Sequence, residues 1–285
     1  MNAQKRELLG SAWMILAALL FTLMNVLLKK VANFGYSTSE LVFWRMLFSV
    51  FVLGAMIVLR GQTLKTPHWK KHLSRSVSGT LAMCCTFYTL VNLPLATGTM
   101  LGYTSSIFLA LLSWIVLKEK ISGYTQMILA MGFVGVVLLL NPSFASGQEG
   151  AAVIGLLGGV LSGWAYLQVR ELSLLGEPAW RVVFYFSAVG MVLAAALTSL
   201  QTWHALTWQA IPYLLGIGAA ALLAQLAMTT AYQVGRKFTV ASLAYLTVVF
   251  SALAGMFLFD EIIGWQEIAG IAIIIGAGVL SGLKK

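Results

Sequence analysis

Residues 8–28, LLGSAWMILAALLFTLMNVLL, run for 21 positions without a charged side chain. A helix needs about 20 mainly apolar residues to cross the hydrocarbon core of a bilayer. Runs of similar character at 8–28, 41–59, 76–92, 97–117, 123–140, 151–169, 182–200, 210–232, 238–258 and 264–282 predict ten transmembrane helices. Backbone amides cannot stay unpaired in lipid, and the runs lack the alternation of barrel strands, so helices are the expected solution. Only 9% of the 285 residues are charged, against about 25% in soluble domains. Ten spans and short connections leave no room for a soluble domain. The basic start followed by an apolar stretch is longer than a signal core and reads as a retained first helix.

The basic residues indicate orientation. Lys5, Arg6, Arg60, Lys65, Lys70, Lys71, Arg75, Lys118, Lys120, Arg170, Arg181, Arg236, Lys237, Lys284 and Lys285 fall on the side of both termini, fifteen against Lys29 and Lys30 on the other, with Arg45 inside a span. Positive charge concentrates in cytoplasmic loops, so both termini are expected there, in an inner membrane. The net charge of +9 is thus a membrane signal, and no nucleic-acid partner is expected. Cys84 and Cys85 are adjacent inside an apolar run and read as small buried residues.

An internal repeat organises the ten spans. At an offset of 142, Thr97 meets Thr239, Leu101 meets Leu243, Tyr103 meets Tyr245, Phe108 meets Phe250 and Glu119 meets Glu261. One residue of slip brings Tyr124 onto Trp265 and Gly135 onto Gly276. The halves are 1–142 and 150–285, with five helices each. Five is odd, so the second half enters the membrane inverted, an arrangement used by secondary transporters with a substrate site near mid-membrane.

Ten helices as five plus five, with the fourth and ninth ending in LKEKISGYTQ and FDEIIGWQEIAG, resemble the EamA-type transporters of the drug/metabolite transporter superfamily. The resemblance implies a central cavity lined by helices one, three, four, six, eight and nine, with the second, fifth, seventh and tenth more peripheral. It does not select a substrate.

Candidate contacts come from polar and aromatic side chains on the cavity helices, because ligand pockets are mostly apolar with a few placed polar groups. Asn25, Tyr88, Tyr103, Ser105, Trp164, Gln168, Gln225 and Tyr245 are selected by mid-span position or repeat symmetry. Arg45 is the one basic residue within a run; it can snorkel, pair with Glu40, or meet an anionic substrate. Arg170 and Glu171 read as an interfacial pair or gate. Gly155, Gly159 and Gly163 stand at the spacing of a close helix contact.

No Asp or Glu falls deep within a span, and His68, His72 and His204 read as loop residues. That favours facilitated flux or exchange over proton coupling through a buried acid. It also leaves no aspartyl dyad, metal cluster or Ser–His pair for an intramembrane enzyme, and no phosphate loop. The chain reads as a non-enzymatic carrier without cofactor or metal. Its expected partners are a small-molecule substrate and the bilayer, and a homodimer is compatible with that reading. Export of an amino acid or related metabolite is the first expectation. Uptake of a vitamin or nucleoside-like compound is the second, and a channel the third.

Overall fold

The computed structural model describes residues 3–31, 34–93, 101–140, 147–259 and 264–283. Thr97, Asp260, Glu261, Lys284 and Lys285 lie outside the described residues. Every regular element among the described residues is a helix: α1 Ala3–Val31, α2 Thr38–Leu59, α3 Trp69–Asn92, α4 Ser105–Ile115, α5 Gly123–Leu140, α6 Glu149–Leu174, α7 Ala179–Thr198, α8 Ile211–Val234, α9 Lys237–Ala244, α10 Leu246–Phe259 and α11 Trp265–Leu283. Seven segments are long and apolar enough to cross a membrane, with shorter apolar helices at Leu101–Ile115 and Trp265–Leu280. The chain is an all-α integral membrane protein.

Local chemistry explains where several helices begin and break. Ser37 caps α2 by accepting from the Glu40 amide, while the Glu40 carboxylate accepts from the Ser37 amide at 2.7 Å. This reciprocal arrangement satisfies two amides that no helical carbonyl can reach. Pro178 is the N-cap of α7 and cannot extend a helix backwards. α9 and α10 are one predicted span interrupted at Tyr245, whose amide bonds three residues back to Ser242 at 3.3 Å. Thr104 interrupts the fourth span in the same manner, bonding back to Leu101 at 3.2 Å.

The helices pair in a definite pattern. α1 packs chiefly on α8, α3 on α6, α2 on α7 and α5 on α11, while α4 lies on α6 and α9–α10 on α1. Gly163 shows why α6 and α4 can approach so closely: a β-carbon there would stand 2.8 Å from the Leu109 amide nitrogen. Only a hydrogen fits, the usual device of close helix crossings in lipid.

α3 differs from the sequence expectation. The predicted span begins at 76, but the helix begins at Trp69 and is not apolar enough to count among the seven. Lys70, Lys71 and Arg75 had marked the stretch as a connection. It is instead the first two turns of a helix whose polar side turns inward. His72, read from sequence as a loop residue, is on this helix and fully buried.

Candidate functional site

Between the paired helices lies a cavity of about 590 Å³. Its apolar wall includes Met14, Phe21, Met24, Met83, Phe186, Ile217 and Met228, and its polar groups include Asn25, Arg45, Arg75, Thr86, Tyr103, Ser105, Tyr166, Gln225 and Tyr232. The rim lies where Asn25, which is exposed, and Thr38 line it. The floor is buried, with Tyr232 and Arg75 nearly inaccessible. The cavity therefore opens at the end that carries the α1–α2 connection and is closed at the other.

The closed end is held by polar ties. Arg170 donates to the carbonyls of Tyr232 at 3.3 Å and Gln233 at 2.7 Å. Gln233 in turn donates its side-chain amide to the Glu177 carbonyl at 3.0 Å. The Glu177 carboxylate receives Arg181 at 2.8 Å and the Thr66 hydroxyl, and His72 Nε2 lies 3.2 Å away. Burial alone would raise the Glu177 pKa, but the donors from Thr66, Arg181 and His72 prevail and hold it below the ordinary carboxylate value. Tyr185 stacks on His72 with ring centroids 4.6 Å apart and donates to the Leu64 carbonyl. Arg170 and Glu171, expected as a mutual pair, have separate partners, since Glu171 bonds Lys71 at 3.0 Å.

Arg75 is the residue that sequence reasoning misplaced. It was counted with the cytoplasmic loop cations, yet only 2% of it is exposed and it lines the cavity. Removing it leaves fourteen basic residues on that side against two, so the asymmetry survives. The side chain lies along its own helix over Gly79, where a β-carbon would stand 2.2 Å from Nη1. Its Cζ sits 4.5 Å from the centre of the Phe186 ring, a cation–π contact that offsets some of its lost hydration. A guanidinium even at a membrane helix centre costs about 2.5–3.5 kcal/mol on insertion scales, and Arg75, six residues into α3, bears part of such a cost. The readable signal was a glycine four residues after an arginine, hidden by the neighbouring lysines.

Of the nine predicted contact residues, Asn25, Arg45, Tyr103, Ser105 and Gln225 line the cavity. The other four do not. Trp164 packs into the apolar cluster around Leu109. Gln168 pins α6 to α3, accepting from Ser78 at 3.2 Å and donating to Ser74 at 2.6 Å. Tyr245 is fully buried behind Tyr103, its ring over Gly132. Tyr88 is 47% exposed on the outer face of α3. The inner face of that helix carries Arg75, Gly79, Met83 and Thr86, at helical spacing. Tyr166 and Tyr232 stack at 5.2 Å and are cavity residues that symmetry and mid-span position did not single out. Arg45 does not pair with Glu40, which His204 occupies at 2.8 Å. Helices two and seven, expected to be peripheral, contribute Arg45 and Phe186.

The comparisons with known proteins place this geometry in a family. The model of the EamA-like transporter family matches residues 8–141. The pseudopaline exporter of Pseudomonas aeruginosa is 30% identical over 95% of both chains. The chain belongs to the EamA-like transporter family. Within that family it is also 24% identical to the S-adenosylmethionine uptake transporter of Rickettsia prowazekii, over 97% of this chain and 93% of that one. Human solute carrier family 35 member G1 is 24% identical over 97% of this chain and 80% of its own. A crystal structure with 17% sequence identity superposes with a TM-score of 0.85 over 96% of both chains, so the fold is shared. These named relatives are transporters rather than enzymes.

Proposed function

We propose that the protein is a secondary transporter that exports a small organic metabolite across a bacterial inner membrane by alternating access. The observation that carries this reading is the cavity itself, large enough for a metabolite, open at one end and tied shut by polar bonds at the other. Two inverted five-helix halves, 1–142 and 150–285, suit such a machine. Exchanging the halves would map the α1–α8 contact onto α6–α3, map α4–α6 onto α9–α10 with α1, and return α2–α7 and α5–α11 to themselves. The matching interruptions at Thr104 and Tyr245 support the same exchange. The family match also ends at residue 141.

Both termini are assigned to the cytoplasm by the excess of basic residues at the tied end. The pairs Lys71–Glu171, Lys237–Glu119 and Arg236–Glu7 join segments expected on that one side. Export is favoured by likeness to the pseudopaline exporter; the uptake relative keeps import as the second reading. Asn25, Arg45, Tyr103, Ser105 and Gln225 are the proposed substrate contacts. The test is mass-spectrometric identification of a compound that co-purifies, followed by counterflow of that compound in liposomes. Saturable counterflow is expected. Flux that rises linearly with concentration and shows no exchange stimulation would point to a channel and end the carrier reading.

A further inference from the structure

The cavity has a charge that its own walls do not balance. Arg45 and Arg75 both line it, and among the described residues no carboxylate does. Seven of the nine acidic residues are described, and each is engaged elsewhere. Glu7 meets Arg236, Glu40 meets His204, Glu119 meets Lys237 and Glu171 meets Lys71. Glu177 meets Arg181, while Glu149 and Glu267 accept from the Gly147 and Gly264 amides. Arg75 Nε and Nη1 are buried with no hydrogen-bond partner among the described residues. Arg75 lies six residues into α3 from the closed end, and Arg45 seven residues into α2 from the rim. At 1.5 Å per residue, each is roughly 10 Å inside the bundle. Tyr166, on the wall, is within electrostatic reach of both guanidiniums.

Arg75, buried, and Arg45, half-buried, face one apolar space, repel each other and have lost hydration, a state that an anion relieves and a cation or neutral guest does not. A guanidinium fork also matches the planar oxygens of carboxylates and phosphates. We propose that the cavity takes a small organic anion with at least two acidic groups, Arg75 receiving the end that enters deepest and Arg45 the end nearer the rim. The inference rests on the carrier reading and narrows its substrate class. Carboxylate and phosphate oxygens share the required chemistry. The Met and Phe wall accepts an apolar body between the acidic ends.

The test uses the full chain in lipid nanodiscs, with thermal shift and calorimetric titration as readouts. The probes are succinate, glutarate, adipate and isophthalate, then propane-1,3-diyl bis(methyl phosphate), and finally benzoate and isophthalamide as singly charged and neutral controls. At least one doubly charged probe should bind about tenfold or more tightly than benzoate, as one further charge-assisted hydrogen bond implies, and isophthalamide should not bind. Arg75→Gln should lower that affinity about tenfold or more while leaving the ligand-free melting temperature equal or higher, because an unmet charge has been removed. Should that variant fail to fold, Gly79→Ala displaces the guanidinium without deleting it and should give the same loss.

The bis(methyl phosphate) binding more tightly than the dicarboxylates would assign phosphate oxygens, and the reverse order carboxylates. The proposal falls if no doubly charged probe binds, if benzoate matches them, or if binding survives in the arginine and glycine variants. Saturable counterflow of a neutral or cationic co-purified compound would overturn the anion site and leave the carrier intact. Binding of dianions with only unsaturable flux would do the opposite.

Discussion

The two ends of the bundle are fastened in different ways. At the rim, one buried carboxylate, Glu40, holds the connection before α8 through the His204 amide at 2.6 Å and its ring nitrogen at 2.8 Å. The Tyr36 hydroxyl adds two bonds, donating to the Ala205 carbonyl at 3.1 Å and accepting from the Thr207 amide at 3.4 Å. These ties sit beside the cavity mouth, since α2 contributes both Glu40 and the lining residues Leu41 and Arg45. At the closed end, Glu177 gathers Thr66, His72 and Arg181 from three segments, and Arg170 and Gln233 add α6 and α8. One end is a clasp on a loop; the other is a network across helices. Networks of charged hydrogen bonds can exist in two discrete arrangements, made or released, which suits a gate. The difference teaches that the tied end is closed by polar bonds across several helices, while at the rim the bonds hold a connection beside the mouth.

The comparison is broken most directly at Glu177. Replacing it with Ala takes the carboxylate away from Arg181 and His72, and breaking a buried pair in this way costs about 3 kcal/mol, near the low end because Arg181 keeps the Thr63 carbonyl and is partly exposed. Thermal unfolding in nanodiscs should register it, together with faster labelling of floor cysteines introduced as Ser76→Cys or Ser78→Cys, with Cys84 and Cys85 replaced by Ser. Acidification should act on the same network. Burial is the main reason His72 stays below its ordinary pKa, so the unfolded chain takes up that proton first and stability falls as the pH drops below about 6.5. Glu177 is depressed as well. Its contribution is whole above the ordinary carboxylate range and lost as the pH falls through its lowered folded value. Both signs agree: the tied end weakens in acid. His72→Gln should remove the upper part of that pH dependence and leave the lower part. An unchanged profile would mean that neither group controls the gate.

A smaller loss is expected at the rim. Glu40→Ala removes the reciprocal cap of α2 and the hold on His204, worth about 1–2 kcal/mol in total, because the freed backbone amides can turn toward water. The variant should lower the melting temperature without exposing floor cysteines to label. Equal effects of the Glu40 and Glu177 variants on floor labelling would erase the distinction between the two ends.

How much of this was readable beforehand depends on the range of the interaction. Apolar runs are local, so the helical character and most span positions could be read directly. Arg45 was visible because it stands alone inside such a run. Arg75 was not, since hydropathy records what lipid tolerates and cannot tell a loop cation from one folded inward over a glycine. The ties of the closed end were hidden for a different reason. Arg181 reaches the Thr63 carbonyl at 2.9 Å across 118 positions, and nothing in either local sequence announces the other. Gln168 and Tyr245 were selected as contacts by polarity and symmetry. Both criteria also select residues that bind helices together, which is where these two side chains are placed.

The finest test separates the two faces of α3. Tyr88 is two residues beyond Thr86, so at 100° per residue the side chains point about 200° apart. Thr86 lines the cavity and Tyr88 faces outward. Tyr88→Leu should leave counterflow unchanged and alter stability by less than about 0.5 kcal/mol, the range usual for outward positions. Thr86→Leu adds an apolar side chain to the cavity wall while sparing the floor network and the rim clasp. It should reduce counterflow several-fold with the same melting temperature, since the Thr86 hydroxyl bonds back to the Ala82 carbonyl of its own helix. Helices tolerate loss of such a bond. If Tyr88→Leu impaired transport while Thr86→Leu did not, α3 would have to present its other face to the substrate. Arg75 would then be turned away from the path, because it shares the inner face with Gly79, Met83 and Thr86.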